Sequence, residues 1–259
     1  MSFKGYLKCL IYKLSMDIYT CYSNFVEKIC RSNDLSYFKS HPDYTYMLEH
    51  VNKKQGDEYI YYIKNKTNIT EQEIIDFCKI NDSIGNPNKE DFGFLICSPS
   101  SLRYIFHAHL ILTLLSSLNL PSIDIVEIGG GYGGLCLAIQ HFSKKYNISI
   151  NSYSIIDLHI ISNLQKLYLS KLVPSLNIDY VDASTFGSCI SKQNMFLVSN
   201  YCFSEISKEN QEKYIENLFP KVSHGFIAWN NIPLYHFGFK YMEEIEYPKT
   251  GPYNKYIRF

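Results

Sequence analysis

The chain has 259 residues, with 25 basic and 25 acidic side chains and 46% hydrophobic residues. That hydrophobic share excludes a disordered chain, and the length fits one large domain or one domain carrying an extra lobe. The zero formal net charge argues against a long-range basic field for nucleic acid. There are 23 Tyr and 16 Phe but a single Trp, a bias that AT-rich coding produces as readily as a ligand preference. The eight Cys form no C-x-x-C pair and no zinc spacing, and they read as reduced thiols of a cytoplasmic protein.

Along the chain, the first part is helical by pattern. Lys4, Lys8 and Lys13 break up the apolar residues near the start, so no leader is expected there. Helices are expected over Tyr6 to Ile29, Tyr44 to Asn52 and Glu71 to Lys79, with polar links such as Asn65 to Asn68. Thr70 followed by Glu73 is a capping box that starts the third of these. Ile84-Gly85-Asn86-Pro87 is turn chemistry. Ser98-Pro99-Ser100 opens a helix that runs through Arg103, His107 and His109 to about Leu118. Its apolar stretch Leu110 to Leu120 is too short to span a bilayer.

From Ile123 onward strands and helices alternate, the pattern of a parallel α/β sheet. The strands are Ile123 to Ile128, Ile148 to Ile156, Ile178 to Val181, Met195 to Ser199 and Gly225 to Trp229. Helices lie over Gly133 to Tyr146, Ile160 to Lys171 and Lys208 to Phe219. Tyr241 to Tyr247 and Asn254 to Phe259 read as a β-hairpin. The expected fold class is therefore α/β, a Rossmann-like sheet with a C-terminal antiparallel hairpin and an N-terminal helical lobe. The lobe is placed at 1–83, and the sheet domain at 84–259 with a capping segment over 84–121.

The most informative segment is Val126-Glu127-Ile128-Gly129-Gly130-Gly131-Tyr132-Gly133-Gly134, which ends a strand and opens a helix. Two patterns match it. Gly129, Gly131 and Gly134 fit the G-x-G-x-x-G of a dinucleotide site. Glu127, Gly129, Gly131 and Gly133 fit the E-x-G-x-G-x-G of S-adenosylmethionine (SAM) methyltransferases. Asp157, at the end of the second strand, lies where either class wants an acid for ribose hydroxyls. Three features favour SAM. Glu127 is a charge the dinucleotide motif does not require, and it would orient the loop's N–H groups. Asp182 adds an acceptor near an adenine amino group. The terminal hairpin replaces a second βαβ half.

With Ser98 to Tyr104, Glu127 to Gly134, Ile156-Asp157-Leu158 and Ser199-Asn200-Tyr201-Cys202-Phe203-Ser204-Glu205, the chain from about Ile84 resembles the sugar O-methyltransferases of the class I SAM-dependent superfamily. The resemblance implies transfer of a methyl group from SAM to a hydroxyl of a sugar, nucleotide-sugar or glycan acceptor. A dehydrogenase using NAD or NADP, and a SAM-binding module without catalysis, are the alternatives.

Such a reaction needs alignment of three atoms and a group that takes the acceptor's proton. Gly129, Gly131 and Gly133 are expected at the cofactor, with Asp157 on the ribose and Asp182 near the adenine. Asn200 would face the crevice, and Arg103 would pair with the methionine carboxylate. Glu205 ranks first as general base and His236 second. Asn200, Asn230 and Asn231 make a poor cation cage, so no metal is expected. No nucleic-acid partner and no membrane span are expected, and a homo-oligomer is left open.

Overall fold

The computed structural model of the protein describes residues 18–173, 176–230 and 238–259. Its N-terminal part is helical, with α1 (Ile18–Ser32), α2 (Pro42–Leu48), α3 (Lys53–Lys66) and α4 (Glu71–Asn81). The expected helix from Tyr6 overlaps α1, and its residues before 18 lie outside the described residues. The capping box of α4 is present. Thr70 accepts the Glu73 N–H at 3.3 Å, and Glu73 takes the Thr70 N–H at 2.7 Å.

Sequence patterning misses α3 and leaves a link where it ends. Its start is a second capping box, in which Asn52 and Gln55 exchange bonds of 2.9 and 3.0 Å. Only Gly56, Tyr59 and Ile63 are buried along α3. That stripe repeats every three or four positions but is too narrow to stand out among lysines.

A short antiparallel pair, Glu90–Asp91 with Ile96–Cys97, leads to α5 (Pro99–Ser117). Ser98 caps it by accepting the Ser100 N–H at 3.2 Å, with Pro99 at the first helical position. This helix is buried almost all round, Arg103 and His107 included, so it is a core element rather than an amphipathic surface helix.

The sheet has seven strands. These are β1 (Ile123–Ile128), β2 (Ile150–Asp157), β3 (Ile178–Asp182), β4 (Met195–Asn200), β5 (Val222–Trp229), β6 (Met242–Ile245) and β7 (Lys255–Arg258). Their order is β3-β2-β1-β4-β5-β7-β6. The pairings among β1 to β5 are all parallel, and β7 runs antiparallel to both β5 and β6. The chain walks outward from β1 to β3, then returns to lay β4 against the other side of β1. Open α/β sheets bind ligands at such a reversal, beyond the carboxyl ends of the strands. The connecting helices are α6 (Gly134–Phe142), α7 (His159–Leu172), the short α8 (Cys202–Glu205) and α9 (Lys208–Asn217).

Alternation along β1 divides the core. Ile123 and Ile125 join one buried cluster, and Val126 and Ile128 join the other. The first cluster is continuous with the N-terminal helices, uniting Phe38, Tyr44, Tyr59 and Phe77 with Phe106, Tyr132 and Phe196. The second holds Phe203, Leu218, Phe219 and Trp229 under the opposite face. Both faces of the parallel sheet are thus covered, as its backbone and side chains require. The seven described cysteines are free thiols. Among the described residues no helix is long and apolar enough to cross a membrane.

Candidate active site

The glycine turn is built by constraint from two sides. Gly129, Gly131 and Gly133 adopt φ of +75°, +55° and +99°, where L side chains are strained. Gly129 N–H makes one more sheet bond, to Ile156 O at 2.9 Å, and Gly133 N–H closes the turn on Gly130 O at 2.8 Å. A Cβ at Gly129 would lie 2.2 Å from the Cys202 Sγ, and one at Gly133 would lie 2.7 Å from Leu169. At Gly131 the nearest atoms would be the methyl ends of Leu48, at 3.5 Å. Gly129 and Gly133 are therefore closed off by packing. Gly131 is covered by one flexible side chain and is the position open to close approach.

The two acids of the turn divide their work differently from the sequence expectation. Glu127 is buried and accepts from the Tyr153 hydroxyl at 2.8 Å, across to the neighbouring strand. Burial pushes its carboxyl up to about 7. The loop's N–H groups fall to Asp157 instead. Burial pushes this carboxyl up to about 6, and it is pulled back by Leu158, Gln165 and the Gly130 and Gly131 backbone. Leu158 N and Gln165 Nε2 both donate to it at 2.8 Å. Gln165 Nε2 also reaches Gly131 O at 2.9 Å, so one amide ties the acid to the loop. The reason is the register, in which Tyr153 pairs with Ile125 and so shares a face of the sheet with Glu127, while Asp157 ends β2 beside the loop.

Helix α5 brings two further groups to the same end of the sheet. Arg103 is 5% exposed and donates to Leu48 O at 3.3 Å. Its guanidinium lies 5.6 Å from the Tyr104 ring and 5.9 Å from the Tyr201 ring. Among the described residues no carboxylate forms an ion pair with it. One helical turn on, His107 is fully buried, and burial pushes it down to about 3, so it is neutral. Its Nδ1 pairs with Asn200 Nδ2 at 2.8 Å, and Tyr256 lies 3.4 Å from its Nε2. Asn200 Oδ1 is buried with no hydrogen-bond partner, and so are Glu49 Oε1 and the Tyr22 and Tyr59 hydroxyls. Buried polar atoms without partners are uncommon in a finished fold, and this concentration marks a place where a polar ligand fits.

Arg103, Glu127, the three glycines, Asp157 and Asn200 thus gather at the carboxyl ends of β1, β2 and β4. Asp182 ends β3 as the register partner of Asp157, but its own side chain serves a local turn. It is exposed and caps the turn Ala183–Thr185, taking the Ser184 N–H at 2.8 Å. Glu205, in α8, is also exposed, and its carboxylate accepts from Asn230 at the end of β5. Burial of its carboxyl group nonetheless raises its pKa, against the pull of Asn230. His236 and Asn231 lie outside the described residues. No cluster of three or more His, Cys, Asp or Glu able to hold a metal occurs among the described residues. Sequence reasoning left out Tyr59 and Glu246, and did not rank His107 as a base. The available signal was spacing, since Arg103 and His107 are four apart and share a helix face.

The strand order, with β7 reversed at one side of a parallel sheet, defines the Rossmann-like fold of class I methyltransferases. No protein-family model matches the chain, and no curated protein matches it. Among solved structures it is similar to a SAM-dependent methyltransferase from Clostridium acetobutylicum. That match is 12% identical, covers 48% of this chain and 49% of that one, and has a TM-score of 0.39. It thus spans about half of the Clostridium chain. An rRNA methylase from Streptococcus thermophilus is 11% identical over 58% of this chain and 93% of that one, with a TM-score of 0.42. CalS10, an amino pentose methyltransferase from Micromonospora echinaspora, is 8% identical over 54% and 57%, with a TM-score of 0.39.

Proposed function

We propose that the protein is a SAM-dependent methyltransferase that transfers a methyl group to a hydroxyl of a sugar or glycan precursor. The observation that carries this reading is Arg103, a buried guanidinium beside the glycine turn with no carboxylate at ion-pair distance among the described residues, the buried Glu49 acting on it only from farther off. A buried cation of this kind is costly unless an anion joins it. The α-carboxylate of SAM matches its planar fork. Leu48 links the two halves of the site, since its carbonyl holds Arg103 and its methyls cover Gly131.

When bound, SAM supplies a methyl group on a positively charged sulfur, so the leaving group needs no acid. The remaining work belongs to the chain. Gly131 lets the ligand approach the backbone, and Asp157, whose oxygens already take Leu158, Gln165 and the Gly130 and Gly131 backbone, would exchange some of these bonds for ribose hydroxyls. Asn200 Oδ1 offers an acceptor in the crevice. Asp182 is proposed at the adenine end, where it already fixes the local turn. The dinucleotide alternative is disfavoured because the sheet ends in an antiparallel hairpin where a two-half dinucleotide fold continues with a parallel strand.

Calorimetry with SAM and with NAD tests the reading, and uptake of NAD alone would sink it. Arg103→Met is expected to weaken SAM binding about 10- to 100-fold, the worth of a charge-assisted hydrogen-bond pair. Unchanged affinity in that variant would remove the carboxylate role.

A further inference from the structure

The chain also carries a cleft that the cofactor does not explain. It has a volume of about 660 Å³ and lies between α3 and the loop after β6, with Lys54, Glu58, Tyr62, Glu246, Tyr247 and Lys249 in its walls. A second cleft of about 630 Å³ shares Tyr62 and Tyr247 with it and extends along Phe106. Their aromatic walls are set by Tyr62 and Tyr247, with ring centroids 5.2 Å apart.

Glu246 is the link from this cleft to the glycine turn. It is only 1% exposed. One carboxylate oxygen accepts the Thr250 N–H and hydroxyl, both at 2.7 Å, and the other accepts the Tyr201 hydroxyl. Tyr201 follows Asn200 directly, and its neighbour Cys202 is the residue packed against Gly129. Tyr201 holds φ at +66°, a strained value for a tyrosine. Such strain persists only where the surroundings enforce it, and here the phenol is pinned to Glu246 while its N–H bonds Ala228 O at 2.8 Å. The rim supplies charge. Lys53 pairs with Asp57 at 3.6 Å, but Lys54 and Lys249, on opposite walls, have no ion-pair partner among the described residues.

We propose that this cleft is the acceptor subsite, that it takes a phosphorylated sugar, and that Glu246 accepts the proton of the hydroxyl being methylated. The two lysines hold the phosphate, the tyrosines face the sugar ring, and Tyr201 positions Glu246. The proposal rests on the methyltransferase reading. In the step, a lone pair of the hydroxyl oxygen forms the new bond to the methyl carbon. The carbon–sulfur bond breaks and its electron pair returns to sulfur, which becomes neutral. The hydroxyl proton passes to the Glu246 carboxylate, which becomes a neutral acid.

The test uses the full chain with four probes, UDP-glucose, glucose 1-phosphate, glucose and inorganic phosphate. Calorimetry should show binding of a phosphorylated glucose, with free glucose and phosphate each at least about tenfold weaker, as expected for losing charge-assisted bonds. Comparing UDP-glucose with glucose 1-phosphate separates a nucleotide sugar from a simple sugar phosphate. Lys54→Ala with Lys249→Ala should remove that preference. Glu246→Gln should slow transfer of labelled methyl about 100-fold, in the range for losing a general base, with SAM affinity unchanged. Glu246→Asp, which keeps the charge, should recover part of the rate and serves if the Gln variant folds poorly.

Equal binding of glucose and its phosphate, no binding or methylation of either phosphorylated probe, or a full rate in Glu246→Gln would overturn the proposal. If the wild-type chain takes up SAM, any of those results strikes the cleft and Glu246 alone. If it takes up no SAM, the methyltransferase reading fails and the subsite with it.

Discussion

Replacing Gly129 by Ala is expected to destabilise the protein by about 2 to 5 kcal/mol, the sum of a left-handed backbone penalty and overpacking. Both terms act at this position. The residue holds φ at +75°, and the added methyl would meet the Cys202 side chain at 2.2 Å. Relief is difficult, because the Cys202 Cβ itself is at that distance and not merely the flexible end of a long chain. Gly93 provides the control, since it has φ of +83° and nothing within 4 Å of its would-be Cβ. Gly93→Ala should show only the backbone penalty, about 1 to 2 kcal/mol. Urea unfolding of the two variants isolates the contact term. Adding Cys202→Gly to Gly129→Ala should recover that term and leave the rest. Equal losses in both single variants would mean that the turn is not packed as described.

A second large effect is expected at Lys39, which lies beneath the same turn. This lysine is fully buried, with Nζ bonded to Asn81 O at 2.6 Å and Tyr168 at 3.2 Å. It also sits 4.2 Å from the ring of Tyr132, the one side chain between the turn's glycines. Burial pushes its pKa down from 10.5 to about 8, with Glu49 and Asp82 opposing and Lys89 adding a little. Between those two values the unfolded chain holds the proton and the folded chain has released it. Unfolding then takes up a proton, so stability rises with pH across this window. A shift of this size corresponds to about 3 kcal/mol.

Lys39→Met has no such proton, so the wild type should gain about 3 kcal/mol relative to the variant between pH 8 and 10.5. Taking the difference cancels the titration of the many tyrosines, whose buried hydroxyls push stability the other way. Parallel stability profiles for the two proteins would show that Lys39 is not desolvated as the structure has it.

The sheet was readable from the sequence because most of its parallel strands are apolar runs closed by a polar residue or a glycine. Asp157, Asp182 and Asn200 stand at three of those ends, and the observed strands stop on them. The glycine turn was readable for the same reason, since it follows such a run and opens a helix. The helical part was harder. Helix α3 buries only three residues along its length, so its charged surface resembled a link. The site was legible where chemistry is local and hidden where it is assembled across distance. Arg103 and Asn200 come from motifs, whereas Glu246 belongs to a segment that patterning assigns only to a hairpin. The exchange of roles between Glu127 and Asp157 depends on which way each strand residue points, and Tyr153, which pairs with Ile125 two residues before Glu127, decides it.

The meeting of Tyr256 with His107 spans 149 positions of sequence, and that of Tyr201 with Glu246 spans 45. Contacts so remote close a large loop before they return any energy, which makes them late events in folding. A ribosome delivers β1 to β5 and the glycine turn well before β6 and β7, so a half-made chain can hold its cradle while the wall facing His107 is still missing. Ligand capture would then report that β6 and β7 have docked, more sharply than secondary-structure content does.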